Sequence, residues 1–118
     1  MNIGSVKEDL RLEKRISITP EIVKKLVELK FSVFIEKNYG EHLGISDQEY
    51  NSNGAILQNS AKEVLAKSEI ILRVNIPPDS DINLIKDKSI IIGQFDPSLN
   101  KETINKLIKK NIKIFSLN

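Results

Sequence analysis

Hydrophobic residues along this chain fall into two alternating patterns, short unbroken runs and longer stripes at helical spacing. Ser68–Pro78, SEIILRVNIPP, is the clearest run. Ile70, Ile71, Leu72 and Val74 give it the β-branched density of a strand covered on both faces, where a half-exposed strand would alternate. Pro77 and Pro78 then stop the ladder. Ser89–Gly93, SIIIG, is a second buried run, and its terminal glycine permits close approach of backbone or ligand. Further strands are expected at Met1–Val6, Phe31–Glu36, Ala55–Gln58 and Ile112–Leu117. Phe31, Val33 and Ile35 alternate with Phe34 on the other side, so burial there can be two-sided.

The stripes lie between the runs. Thr19-Pro20-Glu21 supplies a hydroxyl cap, a proline at the first helical position and an acid at the positive end of the macrodipole. The helix it opens reaches about Lys30, with Ile22, Val23, Leu26 and Leu29 on one face. Ser46 and Glu49 have capping-box spacing ahead of a short helix ending at Asn51 or Ser52. Ser60 caps Ala61–Lys67, Ser80–Lys86 makes one or two turns, and Asn100 caps Lys101–Lys110. The alternation predicts an α/β fold: a doubly wound, mainly parallel sheet with helices on both faces, flavodoxin-like or Rossmann-like. At 118 residues, one domain spanning 1–118 is expected.

Composition removes several chemistries. Eighteen basic residues against sixteen acidic leave a net charge of +2, too little to argue for nucleic acid. Without cysteine there is no disulfide or thiolate chemistry, and a single histidine makes no His-rich metal site. The amino terminus lacks the apolar core of a signal peptide, and no long hydrophobic span follows, so a soluble chain compatible with the cytosol is expected. Neither G-x-G-x-x-G nor G-x-x-x-x-G-K-[ST] is found, so the usual seats for a dinucleotide or triphosphate are missing.

In open α/β sheets the ligand crevice lies at the carboxyl ends of the strands. Arg73 and Asn75 end one central strand and Gln94 and Asp96 end the next, which makes them rim candidates. On pattern alone, a structural strand end with Arg73 in solvent is preferred to a site. Lys7–Lys14 is long for a strand-to-helix connection; its Lys7, Glu8 and Arg11 read as a solvated charged loop, while Arg15 stands open between that and a rim role. His42, in a glycine-bearing loop without a companion ligand, reads as an exposed polar residue. The lysines from Lys101 to Lys113 read as a solvated face.

Four stretches go beyond pattern: IGSVKEDLRLEKRISITPEIVKKL, KNYGEHLGISDQEY, the strand entry NGAIL, and SEIILRVNIPP. Together they resemble the amino-terminal domain of the alanine dehydrogenase and pyridine nucleotide transhydrogenase family over essentially the whole chain. The most specific pieces are the opening from Glu8 to Pro20 and the strand end from Arg73 to Pro77.

In alanine dehydrogenases of this family, three groups hold the pyruvate or alanine carboxylate: an arginine just before the T-P helix start, a lysine in a K-V-K-E-P strand end, and a histidine after the next strand. Arg15 matches the first, Asn75 stands where the lysine would be, and Asp96 lies near the histidine position. The resemblance therefore leans to the transhydrogenase α-subunit branch, whose strand ends in V-N-x-P. It implies hydride transfer between NAD(H) and NADP(H) coupled to proton movement, with neither nucleotide held by this chain alone and no catalytic residue in it. It further implies a downstream NAD-binding domain, membrane and NADP-binding partner subunits, a homodimer in the full assembly, and a cytoplasmic position peripheral to the inner membrane. Ending on a strand, the chain is expected to be cut short, with uncovered apolar surface near Ile112–Leu117. Alternatives are an alanine dehydrogenase domain, more remotely a saccharopine or lysine-oxoglutarate reductase domain, and a stand-alone binding or assembly module.

Overall fold

Every strand pairing in the computed structural model, which describes residues 1–118, is parallel. The strands are β1 (Asn2–Ser5), β2 (Ser32–Glu36), β3 (Ile56–Gln58), β4 (Ile70–Leu72), β5 (Ile90–Gly93) and β6 (Lys113–Ser116). They form one sheet in the order β3-β2-β1-β4-β5-β6. That is the doubly wound order: the chain travels outward from β1 in one direction, then returns to start β4 beside β1 and travels outward the other way. The seam between β1 and β4 is the point at which the direction reverses.

The helices are α1 (Pro20–Glu28), α2 (Asp47–Ser52), α3 (Ala61–Lys67), α4 (Asp79–Ile82) and α5 (Lys101–Lys109), with a single 3-10 turn at Glu41–Leu43. Thr19 caps α1 through its hydroxyl, Ser46 and Glu49 form the full capping box of α2, and Ser60 caps α3. Asn100 differs from expectation. It occupies the cap position of α5, but its side-chain amide donates to the carbonyls of Phe95 and Asp96 and so closes the preceding turn. Asparagine serves both uses, and the five-residue step back to Phe95 decides between them.

Two apolar layers sandwich the sheet. One gathers Val64 and Leu65 of α3, Ile82 of α4 and Leu107 of α5 against Ile71 and Ile91. The other gathers Val23 of α1 and Tyr50 of α2 against Ile3, Val33 and Ile35. The central run is covered on both faces because its residues alternate between these layers: Ile71 enters the first, while Ile70 and Leu72 pack on the second. Close approach matters most at Gly4, where an added methyl would collide with the Ser68 side chain under α3. At the β6 edge, Phe115 and Leu117 are exposed, and an apolar groove runs between β6 and α5. No helix is long and apolar enough to cross a membrane.

Candidate functional site

The carboxyl ends of β1, β4 and β5 converge at the seam, and the segment leaving β1 lies across them. Residues 6–19 connect β1 to α1 without helix or strand and fold back over the end of β4. Glu8 and Arg73 do not follow the solvated reading that their charge pattern gives. Glu8 is buried: its Oε2 accepts the Val74 backbone N–H at 3.0 Å, and its Oε1 accepts the Asn75 N–H at 3.2 Å. Arg73 is buried as well, donating from Nη2 to Glu8 Oε1 at 3.2 Å and from Nε to the Asn75 carbonyl at 2.9 Å. Its Nη1 makes no hydrogen bond but faces Asp81 Oδ2 at 3.7 Å. Two backbone donors left over where β4 stops, together with a guanidinium, make the end of the strand electropositive. A carboxylate from the loop neutralises it. Burial raises the Asp81 carboxyl above its ordinary range, with Arg73 opposing the rise.

The far end of the same loop is tied to the other side of the seam. Tyr39, fully buried, accepts the backbone N–H groups of Ser17 at 3.0 Å and Ile18 at 3.3 Å. Its hydroxyl lies 2.8 Å from Ser5 Oγ, which donates to the Leu72 carbonyl at 2.7 Å, so Tyr39 is the donor to Ser5. Tyr50 donates to the Ile18 carbonyl at 2.7 Å and meets Tyr39 edge to face. Burial pushes the pKa of both phenols up, so they remain neutral donors at physiological pH. His42, though exposed, does more than sit in solvent: its Nε2 donates to the Lys14 carbonyl at 2.7 Å.

Between these anchors stands Arg15. Glu13 grips it from two residues away, accepting from Nε and Nη2 at 2.8 Å each and from the Arg15 backbone N–H at 2.9 Å. The hydrogen-bonded guanidinium pulls the Glu13 carboxyl down to about 2. The remaining Nη1 points across the seam to Gln94 Oε1 at 3.5 Å. Gln94 is held by its backbone N–H donating to the Val74 carbonyl at 2.8 Å. Gly93 before it admits the Arg73 carbonyl so closely that a methyl would come within 2.5 Å.

The rim candidates consequently divide. Arg15, Arg73 and Gln94, with Ser17, Leu72, Val74 and Ile92, line one crevice of about 270 Å³. Arg73 and Asn75, with Lys7, Glu8, Asp9 and the Ile76-Pro77-Pro78 turn, line a second of about 310 Å³. Arg73 belongs to both. Asp96 lines neither: its backbone N–H and carboxylate are engaged by the Asn118 side chain at 3.1 and 2.9 Å. No group of three or more histidine, cysteine, aspartate or glutamate residues is arranged to hold a metal. Sequence reasoning missed Glu13 and Tyr39 and assigned Glu8 to solvent, although Glu8 opens the motif that runs to Pro20. Tyr39 carried a weaker signal, as one of two tyrosines whose hydroxyls need partners if the rings are buried.

Comparison with known proteins fits this geometry to a family. Residues 4–118 match the model of the alanine dehydrogenase/PNT N-terminal domain. In Rickettsia prowazekii, the first-part polypeptide of NAD(P) transhydrogenase subunit alpha is 31% identical over 121 residues, covering 99% of this chain and 32% of that protein. Alanine dehydrogenase of Methanococcus maripaludis is 36% identical over 112 residues, covering 92% of this chain and 30% of its own length. The solved transhydrogenase from Sinorhizobium meliloti superposes with a TM-score of 0.92 at 29% identity, over 98% of this chain and 34% of that one. The chain thus spans about a third of the length of the curated relatives it matches. On the match from Gly4 to the last residue, the chain belongs to the alanine dehydrogenase/PNT family and carries its N-terminal domain.

Proposed function

We propose that this chain forms one wall of the cleft in which an NAD(P) transhydrogenase subunit alpha passes hydride between NAD(H) and NADP(H). A single observation carries the reading: the seam where a doubly wound sheet would seat a dinucleotide is filled by the Glu8 carboxylate, with no glycine loop, while Arg15 and Gln94 stand open beside it. The wall has a charged rim and no nucleotide seat of its own. A downstream NAD-binding domain and partner subunits bearing NADP(H) and the proton path would supply the rest. A homodimeric assembly peripheral to a cytoplasmic membrane face belongs to the same proposal, as does the single-domain extent of residues 1–118. Asn75 and the Asn118-bound Asp96 weigh against a pyruvate site, since two of the three groups that alanine dehydrogenases use are replaced.

The second reading, an alanine dehydrogenase domain, draws on the Methanococcus relative. A chimera separates the two. Residues 1–118 would replace the matching segment of the Rickettsia subunit, followed by assays of hydride transfer between nucleotides and of NADH-dependent pyruvate amination. The proposal expects hydride transfer and no amination. Amination without nucleotide-to-nucleotide transfer would overturn it.

A further inference from the structure

We propose that Glu8 is the positioning residue of this rim, a latch from the β1–α1 loop onto the end of β4 that sets where Arg15 stands. The latch itself is independent of the functional reading above; only the identity of what Arg15 meets rests on it. The observation is a mismatch between sequence position and environment. Residues 7–15 are mostly exposed and charged, yet this one carboxylate is 97% covered and spends its acceptors on three donors 65 to 67 residues away. Such a segment has no apolar side chain buried between Lys7 and Lys14 to hold it down. Its position is therefore set by polar ties: the Lys7 backbone N–H on Glu36 Oε1 at 2.8 Å where the loop leaves β1, Glu8 next to it, His42 at Lys14, and the Tyr39 hydroxyl at Ser17 and Ile18 at the far end.

Of the four, only the Glu8 tie bonds the loop directly to the strand end that precedes Asn75 and neighbours Gln94. Arg15 is fixed to the loop through Glu13, so a loop held at Glu8 holds the guanidinium 3.5 Å from Gln94. Releasing Glu8 leaves Lys7 and Lys14 tied but frees the span from Asp9 to Glu13, which withdraws the Glu13 brace and lets the Arg15 guanidinium leave Gln94, while the sandwiched layers keep their packing. Glu8 thereby acts on the rim through Arg15, its own acceptors being taken by Arg73, Val74 and Asn75.

The test is backbone relaxation of the folded 118-residue chain, which reads local order without reference to global stability. In Glu8→Ala, order parameters for Asp9–Glu13 should fall from about 0.85 to below about 0.6, with α3 and β5 unchanged. Glu8→Gln, which keeps one acceptor oxygen, should fall part of the way, and the Arg15–Gln94 contact should weaken in the same order. Independently of any variant, the Val74 and Asn75 amides of the unaltered chain should show through-hydrogen-bond coupling to the Glu8 carboxylate. A folded variant whose loop stays as rigid as before, or absence of that coupling, would overturn the latch. Introduced into the chimera, Glu8→Ala tests the two ideas apart: a loosened loop with undiminished hydride transfer supports the latch and removes Arg15 from the proposed function.

Discussion

Two glutamate–arginine pairs whose glutamates come from one loop have the same chemistry and different surroundings. Glu8 and Arg73, 65 residues apart in sequence, meet with side chains 3% and 5% exposed. Glu13 and Arg15, two residues apart, meet with the Arg15 side chain 63% exposed. The first pair closes a strand end: its carboxylate also absorbs two backbone donors that would otherwise be orphaned, so neither partner can leave without stranding a buried charge. In the second pair the carboxylate is largely covered, at 11% exposure, but the arginine is solvated and keeps one edge free for Gln94 or an incoming group. Burial and the number of donors served, more than the pairing itself, separate a structural ion pair from one available to a ligand.

Removing the buried cation should break this contrast most severely. Arg73→Met leaves Glu8 uncompensated and is expected to cost about 3–5 kcal/mol in a denaturant melt. Gly93→Ala presses on the same strand end from the neighbouring strand, because its methyl meets the Arg73 carbonyl and the Phe95 ring, both at 2.5 Å. A loss of about 1–3 kcal/mol in the same melt is expected.

Asp81→Asn should act in the opposite direction and more weakly. A carboxyl raised by burial contributes stability that is full below the ordinary carboxylate range and lost as pH rises through its folded value. The asparagine variant is spared that loss, so its melting temperature should exceed that of the parent slightly at pH 7. The gap should close as pH falls below the carboxylate range. Arg15→Met sharpens the comparison from the solvated side: no measurable change in midpoint is expected, while hydride transfer in the chimera should drop.

Much of the fold was legible because its signals are local. The caps at Thr19, Ser46 and Ser60 and the run Ile70–Leu72 state their element types within a few residues, and α3 begins and ends where its stripe does. The site was legible only in part. Strand ends and resemblance name Arg15, Arg73 and Gln94 as rim candidates, and these three line one crevice, although pattern alone put Arg73 in solvent; Glu8 and Arg11 look alike in a charged loop, and one is buried while the other is exposed. What distinguishes them is a pair of backbone amides 66 and 67 residues away, which no periodicity records. Asp96 shows the converse: it follows β5 as expected, but its backbone turns to φ +42° and its side chain is taken up by Asn118.

The filled seam is tested most directly by titrating NADH into the 118-residue chain and following nucleotide fluorescence together with the Val74 and Asn75 amide signals. With no glycine-rich turn to seat pyrophosphate and with Glu8 occupying the Val74 and Asn75 amides at the seam, fluorescence should stay flat and both amides unmoved into the millimolar range. A dissociation constant below about 10 μM, equivalent to roughly −7 kcal/mol, with those two amides shifting on binding, would contradict the account.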